Sequence, residues 1–257
     1  MMLNRFRAHR VRRLIRTHPR PLVKIFDRLA STQTYSLRQD FSSPAVVIAD
    51  RQTQGHGQRD HSFYSPASGI YMTVTLPARR HFLSNPGLLT AGIGTAIVEV
   101  LSPLLPDHLG LKWMNDVYYH HRKCGGVLVE TNVNDQNVIK AFVIGIGLNL
   151  LPTKFPSRIQ SRAGYLFHSL PVSKDVIIAR IYDQLVRTLG FSAHQILTAY
   201  RASMLWQHRL VEFQTATGSG AGVILGIDSK ARLVIRDRQG AVRHLNYRDA
   251  SQIRLVH

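Results

Sequence analysis

Apolar positions in the first half of the chain follow both strand and helix periods. Residues 23–26 and 45–49 are short apolar runs of strand length, and residues 69–76 alternate and are rich in β-forming side chains. Residues 88–105 repeat apolar side chains at helical spacing, which predicts a core helix. A helix is also expected after residue 31 or 32, capped by Ser31 or Thr32 and running toward Phe41.

The middle of the chain alternates further strands with helices. The strand candidates are residues 110–113, 117–119, 126–131 and 138–150, and the helix candidates are residues 173–188 and 193–203. Strands that follow one another closely, with helices mixed among them, are typical of an α+β protein. We therefore predict a mainly antiparallel or mixed sheet that packs against helices.

The pattern changes after residue 206. Short strand candidates follow at residues 210–213, 222–227, 231–235 and 241–247, separated by turn sequences. This pattern predicts a small β-barrel-like domain. The chain is accordingly divided into a basic N-terminal arm (1–21), a catalytic domain (22–206) and a C-terminal β-domain (207–257).

Composition limits the class of protein. Of 257 residues 44% are hydrophobic, which supports a sizeable core, and the only cysteine, Cys124, excludes an internal disulfide and fits a reducing cytoplasm. The longest uninterrupted apolar run, residues 141–151, is shorter than the ~20 residues that a membrane helix needs. We predict no membrane span and no secretory signal.

Positive charge is concentrated at the N-terminus. The formal net charge is +18, and removing the seven arginines of residues 1–20 leaves +11 on the rest. Such a field attracts polyanions, including nucleic acid, ATP and acidic proteins. Residues 1–20 show only weak helical periodicity, so we interpret them as a solvated basic arm, with contact to nucleic acid or a membrane surface as the alternatives.

Four stretches carry candidate chemistry. Residues 52–60 form a polar loop with two glycines whose backbone N–H groups could wrap an anion, or an ordinary surface loop. Residues 111–116 place Lys112, Asn115 and Asp116 around an indole, which suits phosphate binding or a simple turn. Residues 122–130 put Lys123 before two glycines, which would let a ligand approach the backbone, or the lysine is a solvated residue before a β-hairpin arm. Residues 143–149 put two glycines inside an apolar strand, where close approach of a ligand or a bulge would explain them.

Taken in order, these stretches resemble the motifs of the biotin–protein ligase family. The matching segments are residues 31–33 (Ser-Thr-Gln for Ser-Thr-Asn), 52–63 (the glycine- and arginine-rich loop), 112–116 (Lys-Trp-Met-Asn-Asp for Lys-Trp-Pro-Asn-Asp), 122–130 (Arg-Lys-x-x-Gly) and 145–149 (Gly-Ile-Gly-x-Asn). No Ser-His-Asp order, paired acids or zinc spacing competes with this interpretation.

The resemblance implies a fold and a reaction. It implies a sheet-and-helix core like that of class II aminoacyl-tRNA synthetases and lipoate ligases, with a C-terminal SH3-like barrel. Biotin would react with ATP and Mg²⁺ to give biotinyl-AMP, and a lysine of a biotin carboxyl carrier protein, as in acetyl-CoA carboxylase, would then accept biotin. The resemblance implies a cytoplasmic enzyme for which a homodimer is one expected state. It implies no membrane attachment and none of the specific DNA binding of relatives that carry an N-terminal winged helix.

The resemblance also assigns residues. It implies that Lys112 and Lys123 are catalytic, that the protein itself holds no metal, and that Lys112, Asn115, Asp116 and Asn149 contact ATP. The residues implied for biotin or its adenylate are Ser31, Thr32, Gln33, Gln52, Gly55, His56, Gly57, Gln58, Arg59, Lys123, Gly125 and Gly126.

The loop at residues 52–63 departs from the family pattern. Two family arginines are replaced by His56 and Gln58, a glycine by Asp60, and a tryptophan by Phe63. Two fixed charges are thus lost where the adenylate would be held, and Arg59 is the cation that could compensate. A lipoate– or octanoate–protein ligase is the nearest alternative function, and a basic nucleic-acid-binding protein is the alternative from another class.

Overall fold

A computed structural model describes residues 6–216, 218–247 and 249–256 of the protein. The fold is built on two β-sheets. The strands are β1 (Leu22–Leu29), β2 (Ala45–Gln52), β3 (Ile70–Pro77), β4 (Gly110–Lys112), β5 (Asp116–Tyr119), β6 (Arg122–Val133), β7 (Ile139–Leu148), β8 (Leu210–Thr215), β9 (Gly218–Ile227), β10 (Leu233–Asp237), β11 (Val242–Leu245) and β12 (Ala250–Leu255). The helices are α1 (Ala8–Leu14), α2 (Thr32–Leu37), α3 (Arg80–Leu83), α4 (Pro86–Leu101), α5 (Ser157–Gln160), α6 (Lys174–Thr188) and α7 (Ala193–Ser203).

The larger sheet has the strand order β1-β2-β3-β7-β6-β5-β4. Strands β1 and β2 pair in parallel, and the remaining neighbours pair antiparallel. The sheet is thus mixed, and the predicted α+β class is confirmed. The first five residues of β2 and the first seven of β3 are buried, because both faces of the sheet are covered there.

Helix α4 is the central helix of the core. Asn85 caps its first turn by accepting a hydrogen bond from the Leu88 amide at 3.3 Å, and Pro86 starts the helix where no amide partner is needed. It packs against α6 and α7 and is buried on nearly every side. A helix that is apolar all round requires such a position.

The prediction that no segment is long and apolar enough to span a membrane was wrong for this helix. With the short turn that follows it, Pro86–Leu104 reaches that length, and its most apolar window has a mean hydropathy of 1.5. Glycines and threonines interrupt the apolar residues of this helix, so it contains no long uninterrupted apolar run. In the folded protein 78% of that window is buried, as expected of a core helix.

The C-terminal residues form an antiparallel sheet of order β11-β10-β9-β8-β12. This agrees with the predicted small β-domain, and β8, β9, β10 and β11 overlap the strand candidates of the sequence. Closure into a barrel is not seen among the described residues, in which β11 and β12 are the edges of the sheet. Strand β12 was not predicted.

The N-terminal segment is not a solvated arm. Its side chains Phe6, Val11 and Ile15 are buried, and α1 packs against α6 and β1. The carboxylate of Asp183 on α6 accepts hydrogen bonds from the backbone amides of residues 16 and 17, at 3.0 Å each. The apolar side of α1 therefore belongs to the core, although its arginines point to solvent.

We expect Ile15→Ala to lower the free energy of unfolding by about 2–5 kcal/mol, because Ile15 is fully buried and its removal leaves a cavity. Arg12→Ala, on the exposed side of the same helix, should change it by no more than about 0.5 kcal/mol. Denaturant unfolding monitored by circular dichroism measures both. Equal, small effects of the two substitutions would contradict the docking of this helix.

Candidate functional site

A cavity of about 510 Å³ lies between the larger sheet, the polar loop at residues 52–65 and the C-terminal domain. The predicted site residues that line it are Ser31, Thr32, Gln33, Gln52, His56, Gly57, Gln58, Arg59, Lys112, Asn115, Asp116, Lys123 and Gly126. Segments from four separate parts of the sequence thus meet at one place. Pockets of this size and mixed polarity are typical of small-molecule sites.

Three predicted residues lie outside the cavity lining. A Cβ atom on Gly55 would lie 2.6 Å from the Ser65 hydroxyl, and one on Gly125 would lie 2.6 Å from the Leu148 side chain. These glycines therefore allow close packing within the protein and not the approach of a ligand. Asn149 is buried, and its amide donates to the Gly164 carbonyl at 3.0 Å, so it positions the segment after α5.

The polar loop is a hairpin, which we call the glycine hairpin (residues 52–65). Antiparallel bridges join Gln52 to Ser65 and His56 to Ser62, and the Gly57 amide donates to the His61 carbonyl at 2.7 Å. Its tip is a single 3-10 turn, Gln58–Asp60, in which the backbone of Arg59 is left-handed with φ 55°. The hairpin covers one side of the cavity.

A network of amide and hydroxyl groups lies at the base of the hairpin. The Gln52 side-chain oxygen accepts hydrogen bonds from the Thr32 amide at 2.8 Å and the Thr32 hydroxyl at 3.1 Å. The Gln52 amide donates to the Ser65 hydroxyl at 3.0 Å, and Thr73 donates to Thr32 at 2.9 Å. Mutual hydrogen bonds hold these groups in fixed orientations, so the polar end of the cavity is pre-organised. Sequence reasoning missed Thr73, because it is one alternating position of an ordinary strand.

The glycines of β7 admit two side chains into the site. A Cβ atom on Gly145 would lie 2.7 Å from the Gln33 side-chain oxygen, and one on Gly147 would lie 2.8 Å from the Phe63 ring. Gln33 in turn donates to the Glu130 carboxylate at 2.9 Å and to a β7 carbonyl at 3.0 Å. The predicted close approach to this strand is real, but the approaching groups are the protein's own Gln33 and Phe63.

Lys123 and Asp116 form an ion pair at the edge of the cavity, with 2.5 Å between the ammonium nitrogen and a carboxylate oxygen. Antiparallel pairing of β5 with β6 brings them together, and the Lys123 amide donates to the Arg162 carbonyl at 2.8 Å. The Lys123 side chain remains 37% exposed. Its direction is set by Asp116, and it keeps a free side toward the cavity.

Lys112 is the second cation of the cavity. Its ammonium nitrogen lies 5.1 Å from the centre of the Trp206 ring and 5.5 Å from that of Tyr118, which are cation–π distances. Burial lowers the pKa of Lys112, an effect that the Asp116 charge opposes and the Lys123 charge reinforces. A cation held by aromatic rings at the cavity edge is available to a phosphate group.

This pKa shift predicts a pH dependence. A lowered pKa means that Lys112 loses its charge at a lower pH than an ordinary lysine does. The alkaline decline of kcat/KM for an anionic nucleotide should therefore begin at a lower pH than it would with an ordinary lysine. Lys112→Arg should remove this part of the decline, because a guanidinium stays charged. An unchanged alkaline profile in the Arg variant would assign the decline to another group.

The segment between β4 and β5 is attached to its surroundings by several hydrogen bonds. The Asn115 side chain donates to the Val127 carbonyl at 2.9 Å, so its amide N–H is used structurally. The Trp113 indole donates to the Ala231 carbonyl of the C-terminal domain at 3.0 Å. Trp113 therefore links the two domains beside the cavity, a role that sequence reasoning did not assign.

The C-terminal domain supplies part of the cavity wall. Tyr247, Ala250, Gln252 and Ile253 line it, from β12 and the turn before it. None of them was predicted. Ile253 and Leu255 alternate with polar residues, a weak strand signal that could have indicated β12, but only the fold places this strand at the site.

The part of the chain that carries the predicted site residues matches a known protein family. A model of the biotin/lipoate A/B protein ligase family matches residues 25–149. These residues form a domain of that family. All the predicted site residues fall within this ligase domain, and the resemblance drawn from its motifs is confirmed.

Curated relatives extend the similarity beyond the ligase domain. The chain is 25% identical over 228 residues to a bifunctional ligase/repressor BirA from Bacillus subtilis, covering 83% of this chain and 69% of that protein. It is 28% identical over 203 residues to a biotin–[acetyl-CoA-carboxylase] ligase from Mycobacterium tuberculosis, covering 74% of this chain and 72% of that protein.

Solved structures share the fold around the ligase domain. A biotin protein ligase from Aquifex aeolicus, in complex with biotin and ATP, superposes with a TM-score of 0.78 at 24% identity, covering 91% of this chain and 99% of that one. A biotin acetyl coenzyme A carboxylase synthetase from Helicobacter pylori superposes with a TM-score of 0.63 at 22% identity, covering 88% and 100%. The predicted ligase fold is confirmed.

Proposed function

We propose that this chain is an ATP-dependent biotin–protein ligase, which forms biotinyl-AMP and transfers biotin to a lysine of a carrier protein. The observation that carries the proposal is the convergence of two ammonium groups, Lys112 and Lys123, with the glycine hairpin on one cavity. Had these elements lain on separate faces, no adenylate site could form. The name of the mycobacterial relative, a biotin–[acetyl-CoA-carboxylase] ligase, points to biotin rather than lipoate.

The polar end of the cavity suits the cyclic urea of biotin. A ureido group has one strong acceptor and two donors, and it needs both kinds of partner when it is buried. Ser31, Thr32 and Gln52 supply hydroxyl and amide groups that are held in place by their network. The carboxylate of biotin would then extend along the sheet toward Lys123.

Charge stabilisation is the main task of the first step. A biotin carboxylate oxygen attacks the α-phosphorus of ATP, the bond from that phosphorus to the bridging oxygen breaks, and pyrophosphate leaves. Fixed ammonium groups stabilise the negative charge that develops at phosphorus, without reorganisation. Lys123, oriented by Asp116, and Lys112, held by its aromatic rings, are placed for this role.

In the second step the carrier lysine provides the nucleophile. Its neutral amine attacks the acyl carbon of biotinyl-AMP, and an amide bond forms between the lysine and biotin. The bond from the acyl carbon to the phosphate oxygen breaks, and AMP leaves. Between the two steps the mixed anhydride must be protected from water. The glycine hairpin, which covers the cavity, is the element that excludes water.

Magnesium would accompany the nucleotide. No group of three or more His, Cys, Asp or Glu side chains that could hold a metal occurs among the described residues. Asp116 is the carboxylate in the cavity lining, and oxygen ligands suit Mg²⁺ when ATP phosphates supply the others. Bound in this way, the ion would neutralise phosphate charge.

The carrier is proposed to be the biotin carboxyl carrier protein of acetyl-CoA carboxylase, as the name of the mycobacterial relative suggests. A cytoplasmic location fits the single, buried cysteine. Transfer of labelled biotin to a purified carrier domain tests this assignment directly, and a carrier with its acceptor lysine changed to arginine is the matched control.

Calorimetric titration separates biotin from lipoate. In the presence of ATP, biotin should bind and release pyrophosphate, whereas lipoate should do neither at comparable concentration. Lys140→Ala, at a residue outside the cavity lining, serves as the control for the integrity of the protein. Pyrophosphate release with lipoate and none with biotin would show that lipoate, and not biotin, is the substrate. Release with neither acid would overturn the ligase assignment.

A further inference from the structure

We propose that Arg59 latches the tip of the glycine hairpin to the C-terminal domain, and that this latch retains the acyl-adenylate in the cavity. The inference rests on the proposed function for the identity of the intermediate. It gives Arg59 a positioning role in place of the direct adenylate contact expected from the sequence, and it makes the C-terminal domain part of the closed site.

The latch consists of hydrogen bonds from the Arg59 side chain to the backbone of the C-terminal domain. A guanidinium nitrogen of Arg59 donates to the Tyr247 carbonyl and to the Ala250 carbonyl, both at 3.1 Å. The amides of Asp249 and Ala250 both donate to the Asn246 carbonyl, which closes a turn just before β12. Arg59 therefore contacts this turn at two residues, which lie 188 and 191 positions away along the sequence.

The backbone of the hairpin is shaped for this contact. Arg59 is the residue of the tip that adopts left-handed φ, which costs a non-glycine residue about 1 kcal/mol and is retained where surrounding contacts require it. This conformation directs the arginine away from the hairpin, toward the turn at 246–250. A strained tip whose side chain reaches another domain indicates a specific attachment.

The latched turn leads directly into the cavity. Gln252 and Ile253, on the strand that begins at Ala250, line the same cavity as His56 and Gln58 on the hairpin. When Arg59 holds the tip to this turn, the hairpin and β12 enclose the cavity from two sides. Release of the tip would separate them and open a path to solvent.

A second attachment holds the other side of the hairpin. The Arg158 guanidinium on α5 donates to the Ser62 hydroxyl at 2.9 Å, and Tyr64 contacts Phe155 edge-on with ring centroids 6.3 Å apart. Without Arg59 the hairpin would thus remain anchored at one side and open at its tip. The expected consequence is leakage of the intermediate and not unfolding.

The latch also explains how this chain tolerates its altered loop. His56 and Gln58 stand where the family pattern has arginines, so less charge is available to hold the adenylate directly. A mechanical closure can compensate, because retention then depends on keeping the hairpin shut. Hydrogen bonds to neutral carbonyls at an exposed site are weak enough to open for the carrier lysine.

Pyrophosphate release without carrier protein tests the proposal. Wild-type protein with biotin and ATP should show a burst of about one pyrophosphate per site, followed by slow release limited by escape of the adenylate. Arg59→Ala should keep the burst and raise the subsequent rate about tenfold, since lost hydrogen bonds speed dissociation. Arg51→Ala, an exposed arginine on β2, is the matched control and should behave as wild type.

Arg59→Lys separates a latch from a charge effect. A lysine keeps the positive charge but lacks the planar fork of donors, so it should leak at a rate close to that of Arg59→Ala. If the lysine variant retains the adenylate as well as wild type, Arg59 acts through its charge and the latch is refuted. A slow phase that is unchanged or slower in Arg59→Ala, with an intact burst, refutes it equally.

Hydrogen exchange of the ligand-free protein tests the latch independently of catalysis. In Arg59→Ala the amides of residues 246–256 should exchange several-fold faster, whereas those of β8 and β9 should not change. No change at residues 246–256 would exclude the latch. Absence of any burst in wild-type protein would instead refute the proposed function, and the exchange data would then decide on the latch alone.

Discussion

Lys123→Ala is expected to lower the rate of biotin-dependent pyrophosphate formation by about 10²–10³-fold, the usual effect of removing one pre-organised group that stabilises a transition-state charge. The Lys123 ammonium is held 2.5 Å from Asp116 and faces the cavity. Its removal also leaves the Asp116 carboxylate without its partner, and this negative charge would repel the phosphates. Single-turnover measurement of adenylate formation gives the rate directly.

Lys140→Ala is the matched control for this substitution. Lys140 also pairs with an aspartate, Asp40, but at 3.7 Å and with both side chains well exposed. Surface pairs of this kind contribute little, so activity should stay within about twofold of wild type. Equal activity of the two variants would show that Lys123 does not stabilise the reaction, and a loss confined to the KM for ATP would make it a binding group only.

Gly145→Val is expected to weaken biotin binding by about ten- to a hundredfold. The first side-chain atom at this position would lie 2.7 Å from the Gln33 oxygen, and the β7 backbone beneath cannot yield easily. Gln33 would leave its place, and its bonds to Glu130 and to the Val143 carbonyl would be lost. Loss of a buried hydrogen-bonding partner for the ligand costs about 1–3 kcal/mol of binding free energy, which corresponds to the expected change in Kd.

Gly92→Ala distinguishes this local effect from a general intolerance of substitution at glycine. Gly92 lies in α4, and a Cβ atom there would make only ordinary contacts, the nearest at 3.5 Å. The variant should bind biotin normally and be as stable as wild type or slightly more stable, because alanine favours helix. Calorimetric titration with biotin, together with thermal unfolding, compares the two variants. Normal biotin binding by Gly145→Val would exclude the role given to Gln33.

Local patterns in the sequence determined much of this protein. The periodicity at residues 45–49, 69–76 and 193–203 was sufficient to place β2, β3 and α7, because apolar spacing follows directly from which face of an element is buried. The order of the lysine, amide and glycine motifs was sufficient to indicate the family, since each motif is a continuous stretch whose residue types reflect its chemistry.

Only the tertiary structure decided the features that depend on distant contacts. A helix of seven residues, Ala8–Leu14, buries Val11 because it packs against α6, whose Asp183 carboxylate binds the amides that follow the helix, and its own sequence shows neither partner. Strand β12 reaches the cavity through the packing of one domain on another. Arg59, expected at the adenylate, turns to carbonyls about 190 residues away because the folded chain places acceptors there. Periodicity reports on burial along one element, whereas the partners of that element are set by the whole chain.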